Sequence, residues 1–187
     1  MWQAAMRCGR ILRGATGGLM HGSLPMELLT LAGLALLVLA ATHDFAVRTV
    51  PNSFAAVLLV VGIALRLMTP GSLHWGAAAA GIVFLLTFLF WRFGWMGGGD
   101  VKLLTAAAMF VPPPHIFMLV SGTALAGGIL ALIYAVLWRV VKRPAGVRPH
   151  ALVMRILRCE QWRMARRGPL PYAAAIAAGG VIATLHA

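Results

Sequence analysis

Between Leu103 and Trp138 the sequence runs for 36 residues without a single Asp, Glu, Lys or Arg. As one helix this run would be about 54 Å long, well beyond the ~30 Å hydrocarbon core of a bilayer. Pro112-Pro113-Pro114 interrupts it, and consecutive prolines cannot continue a helix. The run therefore divides into a short segment over 100–111 and a full-length one over 115–138. Three further apolar runs precede it, at 26–43, 53–69 and 75–91, and one follows it at 169–185. Each has roughly the 17–25 residues that a membrane crossing needs. Trp75 and Trp91 bracket the third as interfacial anchors, and Arg66 lies near enough to the end of the second to snorkel outward. The sequence predicts an all-α polytopic membrane protein with about six transmembrane helices. A composition of 61% hydrophobic and 11% charged residues, with mean hydropathy +0.89, excludes a soluble domain.

The formal net charge is +12, which in a soluble protein would suggest nucleic acid. In a membrane protein, basic residues mark cytoplasmic loops facing anionic lipid, and no nucleic-acid partner is expected. Nine Lys and Arg fall between Arg139 and Arg167, so this loop, 139–168, is assigned to the cytoplasm. Within it, residues 151–167 carry Leu152, Ile156 and Trp162 among five arginines, the pattern of an amphipathic helix on the membrane surface. With six crossings, Arg48, Arg92 and Lys102 join that loop on the cytoplasmic side. A re-entrant fourth segment would strand them opposite it. Residues 1–25 fit this scheme poorly, since Arg7, Arg10 and Arg13 lie on the wrong side and no cleavable signal is evident. They are read as an extension, with translation beginning at Met20 or Met26, leaving 26–187 as the six-helix membrane domain. Cys8 and Cys159 form no Cys-x-x-Cys pair, and the six histidines lack metal-ligand spacing, so no metal or other cofactor is expected.

The acidic residues are only Glu27, Asp44, Asp100 and Glu160. An ionisable group at membrane depth is costly and is by default a functional candidate. Asp44 closes the first apolar run and Asp100 opens the fourth, with two crossings between them, so both emerge on one side. Taken singly, each has an ordinary role: Asp100 as a helix N-cap after three glycines, Asp44 as a partner of Arg48 four residues on. Together they offer another chemistry. Two nearby carboxyls share one proton, so one can act as base toward water while the other donates to a scissile carbonyl.

The surrounding residues, Asp44-Phe-Ala-Val-Arg48-Thr-Val-Pro51-Asn52 and Gly97-Gly-Gly99-Asp100-Val-Lys102, resemble those of the type IV prepilin peptidases, intramembrane aspartic proteases of the Gly-x-Gly-Asp kind. The run Pro169-Leu-Pro171-Tyr172-Ala before a small-residue helix is similar as well. The resemblance implies that Asp44 and Asp100 are the catalytic pair, cutting basic leaders from prepilins or pseudopilins at the cytoplasmic face of the inner membrane. It implies supporting roles for Gly97, Gly99, Lys102, Arg48, Pro51 and Asn52. Larger members also methylate the new N-terminus and carry paired Cys-x-x-Cys motifs between the first two helices. Here only nine residues, Asp44–Asn52, stand there, which resembles the short peptidase-only branch of Tad/Flp pilus systems. Other readings remain: an archaeal-type preflagellin peptidase would share both motifs, and a small transporter or assembly subunit could use the aspartates for ions or packing. A presenilin-like protease would show Tyr-Asp and Pro-Ala-Leu, and neither is present.

Overall fold

In the computed structural model, residues 24–140 and 170–187 are described, together with Met154, Arg158, Cys159 and Trp162. Residues 1–23 of the N-terminal extension and nearly all of the surface helix expected over 151–167 lie outside the described residues. Those described form an all-helical fold with no strand. It comprises α1 (Leu24–Val47), α2 (Asn52–Met68), α3 (Leu73–Arg92), α4 (Gly98–Phe110), α5 (Ile116–Val140) and α6 (Tyr172–Leu185). By length and apolar composition α1, α3 and the run Pro113–Leu137 can each cross a membrane; α2 and α6 are shorter apolar helices. The prolines act as expected. α4 stops at Phe110, Pro113–His115 form a 3-10 turn, and α5 restarts at Ile116.

The 13-residue α4 is the hub. Residues Leu103, Leu104 and Ala106–Phe110 are all buried in it, because α2, α3 and α6 pack around it. Helices α4, α2, α1 and α6 pack in a closed ring, with α3 attached to it at α4 and α5 attached at α6. Small residues let the helices approach. A Cβ on Gly62 of α2 would stand 2.8 Å from the Phe110 backbone N, and one on Gly179 of α6 would stand 2.6 Å from the Leu119 carbonyl oxygen. In α5, Gly122 meets the Gly179 Cα in the same crossing.

Each outer helix buries one stripe at helical spacing. In α1 the stripe is Gly33, Leu37, Ala40 and Asp44. Asp44 therefore points inward by register, even though it sits in the last turn. In α2 the stripe ends at Leu65 and Arg66. Here the structure corrects the expectation that Arg66 snorkels: the side chain is 6% exposed, and its Nη2 donates to the Phe110 carbonyl at 2.9 Å. That carbonyl belongs to the last turn of α4, where helices lack internal donors and a cation is favoured. Helical register, rather than distance from the helix end, sets its direction.

Candidate active site

The ends of α1, α3 and α5 and the beginnings of α2, α4 and α6 converge at one end of the bundle. A cavity of about 590 Å³ opens there, lined by both Asp44 and Asp100. Arg48, Thr49, Val50, Gly97, Gly99 and Tyr172 complete much of its wall. The two carboxyls are near enough to interact electrostatically. Residues 56 positions apart in sequence thus line one cavity at one end of the bundle.

Asp44 is 5% exposed, and its Oδ2 accepts a hydrogen bond at 3.2 Å from the Ala173 N–H. That N–H is in the first turn of α6, where the helix leaves amide donors unpaired and carries a partial positive charge. Pro171, the residue ahead of the helix, fixes where this turn begins. The Pro-Leu-Pro-Tyr segment thereby acquires a physical task, to aim the start of α6 at Asp44.

Asp100 is half-buried and stands at the third position of α4, not at its N-cap. The N-cap is Gly97, and the Asp100 carboxylate reaches back to hydrogen-bond the Gly97 backbone. This is the return half of a capping box, in which a third-position acid satisfies the N-cap amide. A side chain at Gly97 would meet the Asp100 Oδ2 at 3.0 Å, and one at Gly98 would meet the Trp91 Nε1 at 3.3 Å. Gly99 faces Val50 at ordinary contact distance. None of the three has a positive φ, so the run serves close approach rather than unusual torsions.

Positive φ appears instead at Arg48 (61°), an uncommon value for a residue with a Cβ. Arg48 terminates α1 with its N–H donating to the Asp44 carbonyl at 2.7 Å. Its Nη2 donates to the Tyr134 hydroxyl of α5 at 2.9 Å, and the guanidinium carbon lies 5.5 Å from that ring's centroid. Pro51 is the N-cap of α2 and Asn52 its first residue. The Asn52 Oδ1 accepts from the Lys102 Nζ at 3.0 Å, tying the start of α2 to the start of α4. His43 is also structural, its Nδ1 lying 2.8 Å from the Thr49 carbonyl oxygen across the same turn.

All eight residues singled out in the sequence therefore gather at this end. Five of them, Asp44, Arg48, Gly97, Gly99 and Asp100, line the cavity, while Pro51, Asn52 and Lys102 brace the turn beside it. Tyr134 and the Ala173 amide were not evident from sequence. A tyrosine within an apolar helix and an amide behind Pro171 carry no local pattern that links them to Asp44. Among the described residues, no group of three or more His, Cys, Asp or Glu could hold a metal ion.

Comparison with known proteins adds a family. The model of the type IV leader peptidase family matches residues 31–132, more than half of the chain. A prepilin leader peptidase/N-methyltransferase of Bacillus subtilis (strain 168) is 30% identical over 157 residues, covering 82% of this chain. The chain spans about half the length of that curated relative, 53% of it. No solved structure matches.

Proposed function

The chain belongs to the type IV leader peptidase family, and from that premise we propose that it is a membrane aspartic endopeptidase removing leader peptides from prepilins or pseudopilins. The observation that carries this reading is the single cavity lined by Asp44 and Asp100. The pair holds one proton between them. One carboxylate takes a proton from water as the water oxygen attacks the scissile carbonyl carbon. The other carboxyl donates to the carbonyl oxygen. The resulting tetrahedral species then breaks its C–N bond, and the leaving amine receives a proton from the pair. The Ala173 N–H, donating to Oδ2, fixes the orientation of the Asp44 carboxyl at the cavity wall.

Six crossings account for the fold, with α2, α4 and α6 crossing alongside the three longer helices. The aspartates then face the cytoplasm of the inner membrane, where the basic loop meets anionic lipid headgroups. The setting we propose is assembly of Tad/Flp-type pili or a related secretion system. The name of the Bacillus subtilis relative joins peptidase and methyltransferase. For this chain we propose the first activity alone, because α1 and α2 are joined directly by residues 48–51 with no inserted domain between them.

The test is leader removal from a co-expressed prepilin, followed on a gel. Asp44→Asn and Asp100→Asn are each expected to abolish it, and full processing by either variant would end the aspartic mechanism. Incubation with S-adenosylmethionine and cleaved pilin is expected to transfer no methyl group, and label on the pilin N-terminus would contradict the peptidase-only reading.

A further inference from the structure

Helices α3 and α5, attached to α4 and α6, have little contact with one another, and a cleft of about 380 Å³ lies between them. Its α3 wall is Val83, Leu86 and Phe90, its α5 wall Val120 and Ala124, and its floor Leu104 of α4. Both walls are helical stripes, at spacings of three and four residues, so they offer ridges and grooves to a further helix. From Val83 to Phe90 the α3 wall rises about 10 Å, two turns of such a helix. The α5 wall is low. Ala124 is exposed, and four residues on, a Cβ added at Gly128 would meet nothing within 4 Å. Small residues four apart let another backbone come close within a membrane.

The cleft does not end blindly. Trp95, Met96 and Tyr172 line both it and the aspartate cavity, so an apolar segment lying in the cleft leads directly to the two carboxyls. We propose that this cleft is the lateral docking site for the apolar helix of the substrate, which enters from the bilayer between α3 and α5. The inference rests on the peptidase reading and adds where the substrate lies. Trp95 and Met96 mark where its helix must give way to extended chain, since a peptide bond inside a helix is closed to attack by its own hydrogen bonds. Leu86, Phe90 and Ala124 then select the substrate by the shape of its apolar face, while the aspartate cavity handles the residues around the cut.

A photo-activatable benzophenone amino acid, placed singly at Leu86, Ala124, Leu31 and Val60, tests this in membranes containing a labelled prepilin. Leu31 and Val60 are exposed on α1 and α2, away from the cleft, and serve as controls. Gel filtration in detergent reports whether each variant is folded, independently of cleavage. A cleft variant that fails to fold is replaced by one at Phe90 or Val120. Crosslinks from the cleft positions to the apolar segment of the prepilin are expected, with none from the controls and loss on adding excess unlabelled prepilin. Equal crosslinking at all four positions, or crosslinks from the cleft to lipid alone, overturns the proposal. An unaltered chain that leaves the prepilin uncut defeats the peptidase reading instead, and the crosslinks to uncut prepilin still score the cleft separately.

Discussion

Arg48 holds a backbone conformation that costs a side-chain-bearing residue on the order of 1 kcal/mol or more. Something must hold it there, and two hydrogen bonds do: its N–H to the Asp44 carbonyl and its guanidinium to the Tyr134 hydroxyl. The second bond comes from 86 residues away and reaches the turn immediately after Asp44. Tyr134→Phe keeps the ring under the guanidinium but deletes the hydroxyl. The expected loss is about 1 kcal/mol of stability, typical for a buried hydrogen bond. Leader removal should slow as well, because Asp44 and Arg48 share a helix end. Thermal unfolding in detergent and a processing gel check both, and an unchanged midpoint with an unchanged rate would remove Tyr134 from this role. The contrast with the aspartates shows what a sequence can disclose. Asp44 and Asp100 stand out as rare charges flanked by short motifs. Tyr134, the Ala173 amide and the inward turn of Arg66 depend on contacts between distant segments, which local pattern does not encode.

At the scale of the helix, α4 sets the geometry of the site. Its 13 residues rise about 20 Å, less than a bilayer core, and it survives at that length because it is enclosed by α2, α3 and α6. Enclosure by these neighbours also explains why α4 buries most of its circumference, whereas α1, α2 and α3 each bury a single stripe. Helix limits read from apolar runs fall short by a few residues, as at α1, which continues past His43 to Val47. Charge and hydropathy change at the membrane boundary, while the hydrogen-bonded spiral continues until Arg48 stops it. The depth of Asp100 depends on how closely α4 can approach α2 at Gly62. There a Cβ would meet backbone atoms of Met109 and Phe110 at 2.8–3.0 Å, and backbone cannot rotate aside. Gly62→Ala is expected to destabilise the protein by about 1–3 kcal/mol, as overpacking does. It should also impair cleavage by shifting α4. Gly81 on α3 is the matched control, since an added Cβ meets nothing within 4 Å. Gly81→Ala should be neutral or stabilising by up to about 1 kcal/mol through helix propensity. Equal unfolding midpoints for the two variants would refute the close-approach argument.

For the whole molecule, charge and topology point the same way. At the aspartate end the described helices and turns carry Arg48, Arg92, Lys102 and Arg139; at the far end stands Arg66, buried, with acidic Glu27 near the start of α1. By the positive-inside rule this imbalance supports the orientation proposed above, with the aspartate end toward the cytoplasm. The short helices make this assignment informative, because α4 must cross for the ends to alternate. If α4 returned to its starting side, Arg139 would part company with Arg92 and Lys102, and α6 would not deliver its first turn to Asp44. Alternation can be measured with single cysteines in a chain whose Cys8 and Cys159 are replaced by serine. Ser72→Cys lies in the turn between α2 and α3, and Arg92→Cys is exposed at the other end of α3. A membrane-impermeant maleimide added to intact spheroplasts should label Ser72→Cys directly. Arg92→Cys should react only after the membrane is opened, and so should a cysteine at Arg139. Labelling of Arg139→Cys from outside while Arg92→Cys stays protected would mean that α4 does not cross, and the shared cavity would then require a different path for the chain.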